Sequence, residues 1–190
     1  MGEMKQVVQE LRAFLAKLEE RPDIEVREGK IGPGASAELV ERIRALDPEL
    51  AELYAEANGI WIEWEFVEPP GGGCILVNEV EEPPLFTTDE EYYMGFGEGV
   101  RACLVDENAT ETGGWLLRDP SGKTRIVYAT LGGGEQGIEL CDTIAEYFRL
   151  VMQHGAVRHW PRVRVQGFGD DEVSAAVRRF QAPPPVPEPA

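Results

Sequence analysis

Apolar residues return every three or four positions through residues 4–20: Val7, Val8, Leu11, Phe14, Leu15 and Leu18, with Glu, Lys and Arg between them. That spacing gathers them on one side of a helix, and Pro22 ends it. Ile24 and Val26 then mark a short strand within 23–31, before the loop Gly32-Pro33-Gly34. Ser36 is placed to cap a second helix whose apolar face is Leu39, Val40, Ile43 and Leu46, with Glu38 in its first turn suiting the helix dipole. Asp47-Pro48 restarts the helix as N-cap and first position. Leu50, Leu53, Tyr54 and Ala57 face inward, and Asn58-Gly59 supplies a left-handed stop.

At Ile60 the period changes from 3.6 to 2. In the run Ile60 to Phe66, the residues Ile60, Ile62, Trp64 and Phe66 share one face of a strand, and Trp61, Glu63 and Glu65 share the other. A Pro-Pro-Gly-Gly-Gly loop at 69–73 leads to a short buried strand from Cys74 to Val77. Residues 78–99 read as mostly irregular and acidic, and 101–105 as a strand. Trp115–Arg118 and Thr124–Tyr128 read as a hairpin joined through Asp119-Pro120-Ser121-Gly122, with Pro and Gly where a type I turn takes them. A glycine-rich loop follows at 132–134. Ile144, Tyr147, Phe148, Val151 and Met152 then mark a helix over 143–154, with Asp142 as its cap and Gly155 as its end. Residues 157–168 alternate loosely, 171–180 predict a short helix, and Ala182–Ala190 is a proline-rich tail expected to be disordered. Helices flanking a run of antiparallel-looking strands predict an α+β fold, a mostly antiparallel sheet flanked by helices.

Charge sharpens this picture. The 190 residues carry 35 acids against 18 bases, a net −17. The excess is uneven: residues 1–148 sum to −19, and residues 149–181 to +3. A field of that sign repels nucleic acid and anionic membranes and steers basic partners in, although solubility alone is an equal reading of it. The three cysteines, Cys74, Cys103 and Cys141, are too few and too widely spaced for a disulfide framework, and no CxxC pair suggests zinc. The N-terminus carries charges throughout, unlike a signal peptide, and no run approaches a membrane span. Met1-Gly2 is followed by Gln6, where a myristoylation signal takes Ser or Thr. A cytoplasmic chain with reduced thiols is the expectation.

The order of the signals is familiar. The helical stretch Ala35–Gly59 (ASAELVERIRALDPELAELYAEANG) runs straight into the strand IWIEWEF; later come the hairpin GGWLLRDPSGKTRIVYA and the helix LCDTIAEYFRLVMQHG. Together, over roughly residues 32–155, they resemble the SUKH superfamily, typified by bacterial toxin-immunity proteins and a yeast cell-wall-synthesis regulator. Asn58-Gly59 stands at the family's helix stop, and Ile144 and Phe148 at its closing-helix core pair. The chain departs from the family at Ala45-Leu46-Asp47-Pro48, where a Gly…Leu-Pro pattern is usual. The resemblance implies a non-enzymatic, protein-binding domain at 32–155, behind an N-terminal helix and lead-in (1–31) and ahead of a C-terminal extension (156–181) and the tail (182–190). It also implies a toxin or regulatory protein as partner, with no cofactor.

Two surfaces could carry such binding. Glu79, Glu81, Glu82, Asp89, Glu90 and Glu91 fall within thirteen residues and run into Tyr92-Tyr93. At a Debye length of about 8 Å their fields overlap, and a basic partner would relieve the repulsion; a solvated loop is the plain alternative. Trp61, Glu63 and Glu65 form the second surface if the opposite strand face is buried, and an exposed Trp beside two Glu suits Arg- or Lys-rich surfaces. Otherwise both tryptophans pack inward.

Other constellations are weaker. Paired carboxylates can run acid–base chemistry, but 35 of them produce pairs by coincidence. His154 and His159 straddle Gly155, so they do not share a helix face for a metal; His154 suits the helix C-terminus. Cys103 and Cys141 have no neighbouring histidine base. The run Gly132–Gly137 lacks the Gly-Lys-Ser/Thr ending of a phosphate loop, and Glu135 would repel phosphate. Arg158, His159, Trp160, Arg162 and Arg164 mix cations with an aromatic as nucleic-acid binders do; within so acidic a chain they are expected to pair internally or across subunits. The readings to separate are thus a binding module, an enzyme with a concealed carboxylate site, and a scaffold whose proline-rich tail recruits a partner.

Overall fold

The computed structural model describes residues 2–68, 71–88, 96–109, 112–130 and 137–185. In chain order these form α1 (Glu3–Glu19), β1 (Ile24–Ile31), α2 (Ala37–Arg44), α3 (Pro48–Glu56), β2 (Ile60–Phe66), β3 (Gly72–Val77) and β4 (Thr87–Thr88). There follow β5 (Arg101–Ala109), β6 (Thr112–Arg118), β7 (Thr124–Thr130), β8 (Ile138–Cys141), α4 (Ile144–Gln153), α5 (Pro161–Gln166) and α6 (Glu172–Gln181). Two antiparallel sheets result among the described residues, ordered β1-β2-β3 and β4-β5-β6-β7-β8. This is the α+β class that the changing periodicity predicts.

Local chemistry sets the helix ends. Ser36 Oγ accepts from Leu39 N, and Asp47 Oδ1 accepts from Glu49 N and Leu50 N ahead of Pro48. Asp47 is also buried against Arg118, which neutralises it. The cap of α4 is Thr143, one residue later than the sequence suggests: its side chain accepts from Glu146 N at 3.1 Å. His154 closes that helix, its Nδ1 bonding Leu150 O, with Gly155 left-handed after it. The 119–123 turn closes through Gly122 N to Asp119 O, and Asp119 Oδ1 gathers Ser121 N and Lys123 N.

Three expectations change. Residues 157–168 hold the helix α5, because Pro161 opens it and Pro161 and Val163 turn into the core. A strand, β8, lies between the glycine loop and α4. Strand β5 runs on to Ala109, past the Val105 at which its apolar run stops. The described end of the tail, 182–185, is exposed, and 186–190 lie outside the described residues.

One core takes side chains from Met4 in α1 to Val177 in α6. Trp64 is its aromatic centre: fully buried, edge-on to Phe66 at 4.9 Å, beside Phe180 at 5.6 Å, with Nε1 donating to Gly155 O. Arg21 ties the two ends of the chain, holding Asp23 at 2.9 Å and donating to Phe180 O at 2.6 Å. A smaller cluster built on Trp115, Leu117 and Val127 forms a second, separate apolar group of the five-stranded sheet. Among the described residues no strand pairs with the outer edge of β1, which is broken by a bulge between Val26 and Glu28 and carries Glu25, Arg27 and Lys30.

The two sheets meet without a continuous backbone ladder. A bulge in β5 pairs Leu104 with Trp115 but Asp106 with Gly114. One extra residue flips the side-chain alternation, so Val105, Asp106 and Asn108 are all buried. Asp106 Oδ1 accepts from Leu76 N at 2.7 Å and Oδ2 from Tyr147 Oη at 2.7 Å. Asn108 Nδ2 donates to Cys74 O at 2.8 Å and Ala156 O at 3.1 Å. The outer edge of β3 is thus completed by side chains of β5, together with Cys74 N to Ala156 O and Arg158 N to Gly72 O. Gly114 leaves the space that Tyr147 needs: a Cβ there would stand 2.4 Å from the ring Cζ.

Burial pushes the Asp106 carboxyl up to about 7, with Glu107 adding to the rise and the bonds from Tyr147 and Leu76 opposing it. A carboxyl that titrates higher when folded stabilises the fold in its protonated form. Its contribution is therefore complete below pH 4 and lost as pH climbs to 7. Asp106→Asn removes that titration. Chemical denaturation from pH 4 to pH 7.5 should show the wild type losing stability relative to the variant by an amount on the order of 4 kcal/mol. A difference independent of pH would refute the assignment. Asn108→Ala should cost about 3 kcal/mol at every pH, since it takes the side-chain donor from the Cys74 carbonyl and the shared acceptor from Tyr128 Oη and His159 N; a loss under about 0.5 kcal/mol, the size of an ordinary surface change, would show that the joint does not depend on it.

Candidate functional site

Strand β2 alternates as its sequence predicts. Ile60, Ile62, Trp64 and Phe66 are buried. Trp61, Glu63 and Glu65 point to the opposite, solvent-facing side. Trp61 is 39 % exposed, whereas Trp64, Trp115 and Trp160 are buried. Its cross-strand neighbours are Lys30 on β1 and Leu76 on β3. Glu63 accepts from Arg158 at 2.6 Å, and Glu65 lies 3.3 Å from Arg27.

The acidic segment joins this face at one point. Glu79 lies 3.9 Å from Lys30, so Lys30 stands between the Trp61 ring and the first acid of the segment. Asn58 fixes the chain there, bonding Val80 N and Val80 O with its side-chain amide. Beyond it the segment turns to another side: Glu82 pairs with Arg42 of α2, and Glu81 is exposed. Asp89, Glu90, Glu91, Tyr92 and Tyr93 lie outside the described residues. Four of the acids singled out in the sequence therefore carry an intramolecular base: Glu63, Glu65, Glu79 and Glu82. All four pairs are open to solvent, where such contacts contribute up to about 1 kcal/mol each. A base from outside could replace any of them.

Of the basic C-terminal segment, Arg158 pairs internally with Glu63, and Arg179 lies over the Phe66 ring at 3.9 Å and donates to Glu68 O at 2.6 Å. Trp160 stacks on His154 at 4.7 Å in the core.

Sequence reasoning missed the residues beneath this surface. Tyr128 Oη and His159 N both bond Asn108 Oδ1, at 3.2 and 3.0 Å, and Tyr128 Oη also meets His159 Nδ1 at 3.3 Å. His159 has φ of 63° and Ala156 of 55°. Left-handed backbone is strained for residues with a Cβ, and it persists where the surroundings over-determine it. Burial, then Arg162 and Arg158, hold the His159 pKa below its usual value. A groove of about 410 Å³ opens beside this turn. A second hollow, about 560 Å³, lies along β8 and α4 beside Cys141. Burial pushes the thiols of Cys74, Cys103 and Cys141 up to about 12, so none is a thiolate at neutral pH. Alkylation by iodoacetamide at pH 8 should be slow at all three in the folded protein and fast only after unfolding; rapid modification of the folded chain would contradict that.

Among the described residues no helix is long and apolar enough to cross a membrane. No protein-family model matches the chain, and comparison with curated proteins and with solved structures found no match.

Proposed function

We propose that this chain is a non-enzymatic protein-binding domain of the immunity type, and that it neutralises a basic protein partner, a toxin being the first candidate, through the Trp61 face of its three-stranded sheet. The observation that carries this reading is the exposed Trp61 ring, flanked across the sheet by Lys30 and Leu76, on the strand face that also carries Glu63 and Glu65, with Glu79 at Lys30. Interfaces concentrate their energy in such aromatic anchors surrounded by polar rims. The net charge of −17 adds a field that draws a basic partner in. The SUKH-like order of elements in the sequence supports the same class of function, and the reading takes the cytoplasm of a bacterium as the place of work.

The alternative of a concealed carboxylate enzyme would rest on Asp106, the acid whose pKa is pushed furthest towards neutrality. Both its oxygens are occupied and its side chain is fully enclosed. That favours a structural role over contact with a substrate.

Calorimetric titration against the polypeptide encoded by the adjacent open reading frame tests the proposal. Trp61→Ala should lower the affinity about thirtyfold, or about 2 kcal/mol. Association should weaken as salt is raised. Unchanged affinity in the variant would remove Trp61 from the interface, and absence of any complex would remove the immunity reading.

A further inference from the structure

The buried network bears on which nitrogen of His159 carries its proton. Asn108 Nδ2 faces two backbone carbonyls, Cys74 O and Ala156 O, so the amide orientation is fixed and Oδ1 is the accepting end. Oδ1 receives His159 N–H and the Tyr128 hydroxyl. Tyr128 has one hydroxyl proton, and the shorter of its two contacts, 3.2 Å, assigns it to Asn108. What Tyr128 turns to His159 Nδ1 at 3.3 Å is a lone pair, which an Nδ1–H satisfies. Nε2 is then the bare acceptor of a neutral ring. It has no partner among the described residues and is not one of the enclosed, unpartnered nitrogens, so it is open to solvent.

His159 lines the groove of about 410 Å³ between the β2–β3 hairpin end, the 157–159 turn and α6. Phe66, Val157, Val173 and Ala176 give it apolar walls. Its polar rim is Glu65, Glu172, His159 and Arg158. Arg158 is already engaged by Glu63 at 2.6 Å, and the Arg27 contact to Glu65 is half exposed and exchangeable. The rim thus presents two carboxylates and an imidazole lone pair, while the guanidinium groups nearby are engaged: Arg158 by Glu63, Arg27 by Glu65 and Arg179 over the Phe66 ring. A ligand complementary to it has an alkyl stem and a cationic tip rich in N–H groups.

We propose that this groove receives a lysine or arginine side chain of the protein partner, its stem against Val157 and Val173 and its N–H groups on Glu65, Glu172 and His159 Nε2. The proposal rests on the binding function above and names the residue type by which a partner would be recognised next to the Trp61 face.

The test uses the full chain with ¹⁵N-labelled histidine and two capped tripeptides, acetyl-Gly-Arg-Gly-amide and its uncharged citrulline counterpart. The free protein should show His159 as the Nδ1–H tautomer. The arginine peptide should move His159 Nε2 and the Val157 and Val173 methyl signals saturably, with about tenfold higher affinity than the citrulline peptide. The double variant Glu65→Gln, Glu172→Gln, altered at surface positions only, should lose about that factor. An Nε2–H tautomer, equal affinity for the two peptides, or wild-type affinity in the double variant would each overturn the proposal. The peptides probe the groove without any partner. Failure here beside a Trp61-dependent complex would sink the groove alone, and a discriminating groove without such a complex would sink the immunity reading alone.

Discussion

The bulge in β5 is the constraint on which the rest of this molecule depends. Regular alternation would have sent Asp106 and Asn108 to the face opposite Val105. The bulge turns them inward, and there they take the place of a missing strand along β3. Buried backbone groups left unpaired are expensive, so two packed sheets without a shared ladder need some such device. Asp106 answers an N–H of β3 and Asn108 a carbonyl of β3. Asn108 reaches further, to Ala156 and His159, and so fixes the turn that follows α4.

That turn links the interior to the surface. Held in left-handed backbone at Ala156 and His159, it carries Arg158 out to Glu63 and sets His159 at the mouth of the groove. The inner face of β2 is locked by Trp64 against Phe66, Phe180 and the Gly155 carbonyl. The outer face of the same strand carries Trp61. A rigid strand presenting one aromatic ring at low entropic cost suits recognition better than a loop would. Part of the acidity of the chain, which the composition shows as one total, is held in solvent-open pairs such as Glu63 with Arg158 and Glu65 with Arg27.

Much of this was legible in the residues. The 3.6-residue period of α1, the caps Ser36 and Asp47, and the two-residue period of β2 are local signals, and each is realised where the sequence puts it. What escaped was non-local. Asp106 and Asn108 lie beyond the strand that the sequence predicts over 101–105, because nothing in a single strand announces a bulge that reverses its parity. Residues 161–166 read as loosely alternating, because their helix is set by Pro161 and by burial against elements distant in sequence. The internal partners of Glu63 and Glu65 lie 95 and 38 residues away. Spacing along the chain reveals none of these.

Gly114 carries a further consequence. It lies on β6 opposite Asp106, and the Tyr147 ring fills the space where its side chain would be. Any larger residue at 114 would displace the hydroxyl that answers Asp106, and a smaller one at 147 would leave that carboxyl half satisfied beside a void. In a lineage of such proteins the three positions would be inherited as a set, drifting together or not at all. In relatives of this chain, a glycine, an aspartate and a tyrosine retained at these places would mark shared ancestry more reliably than the acidic surface, whose residues no such packing constrains.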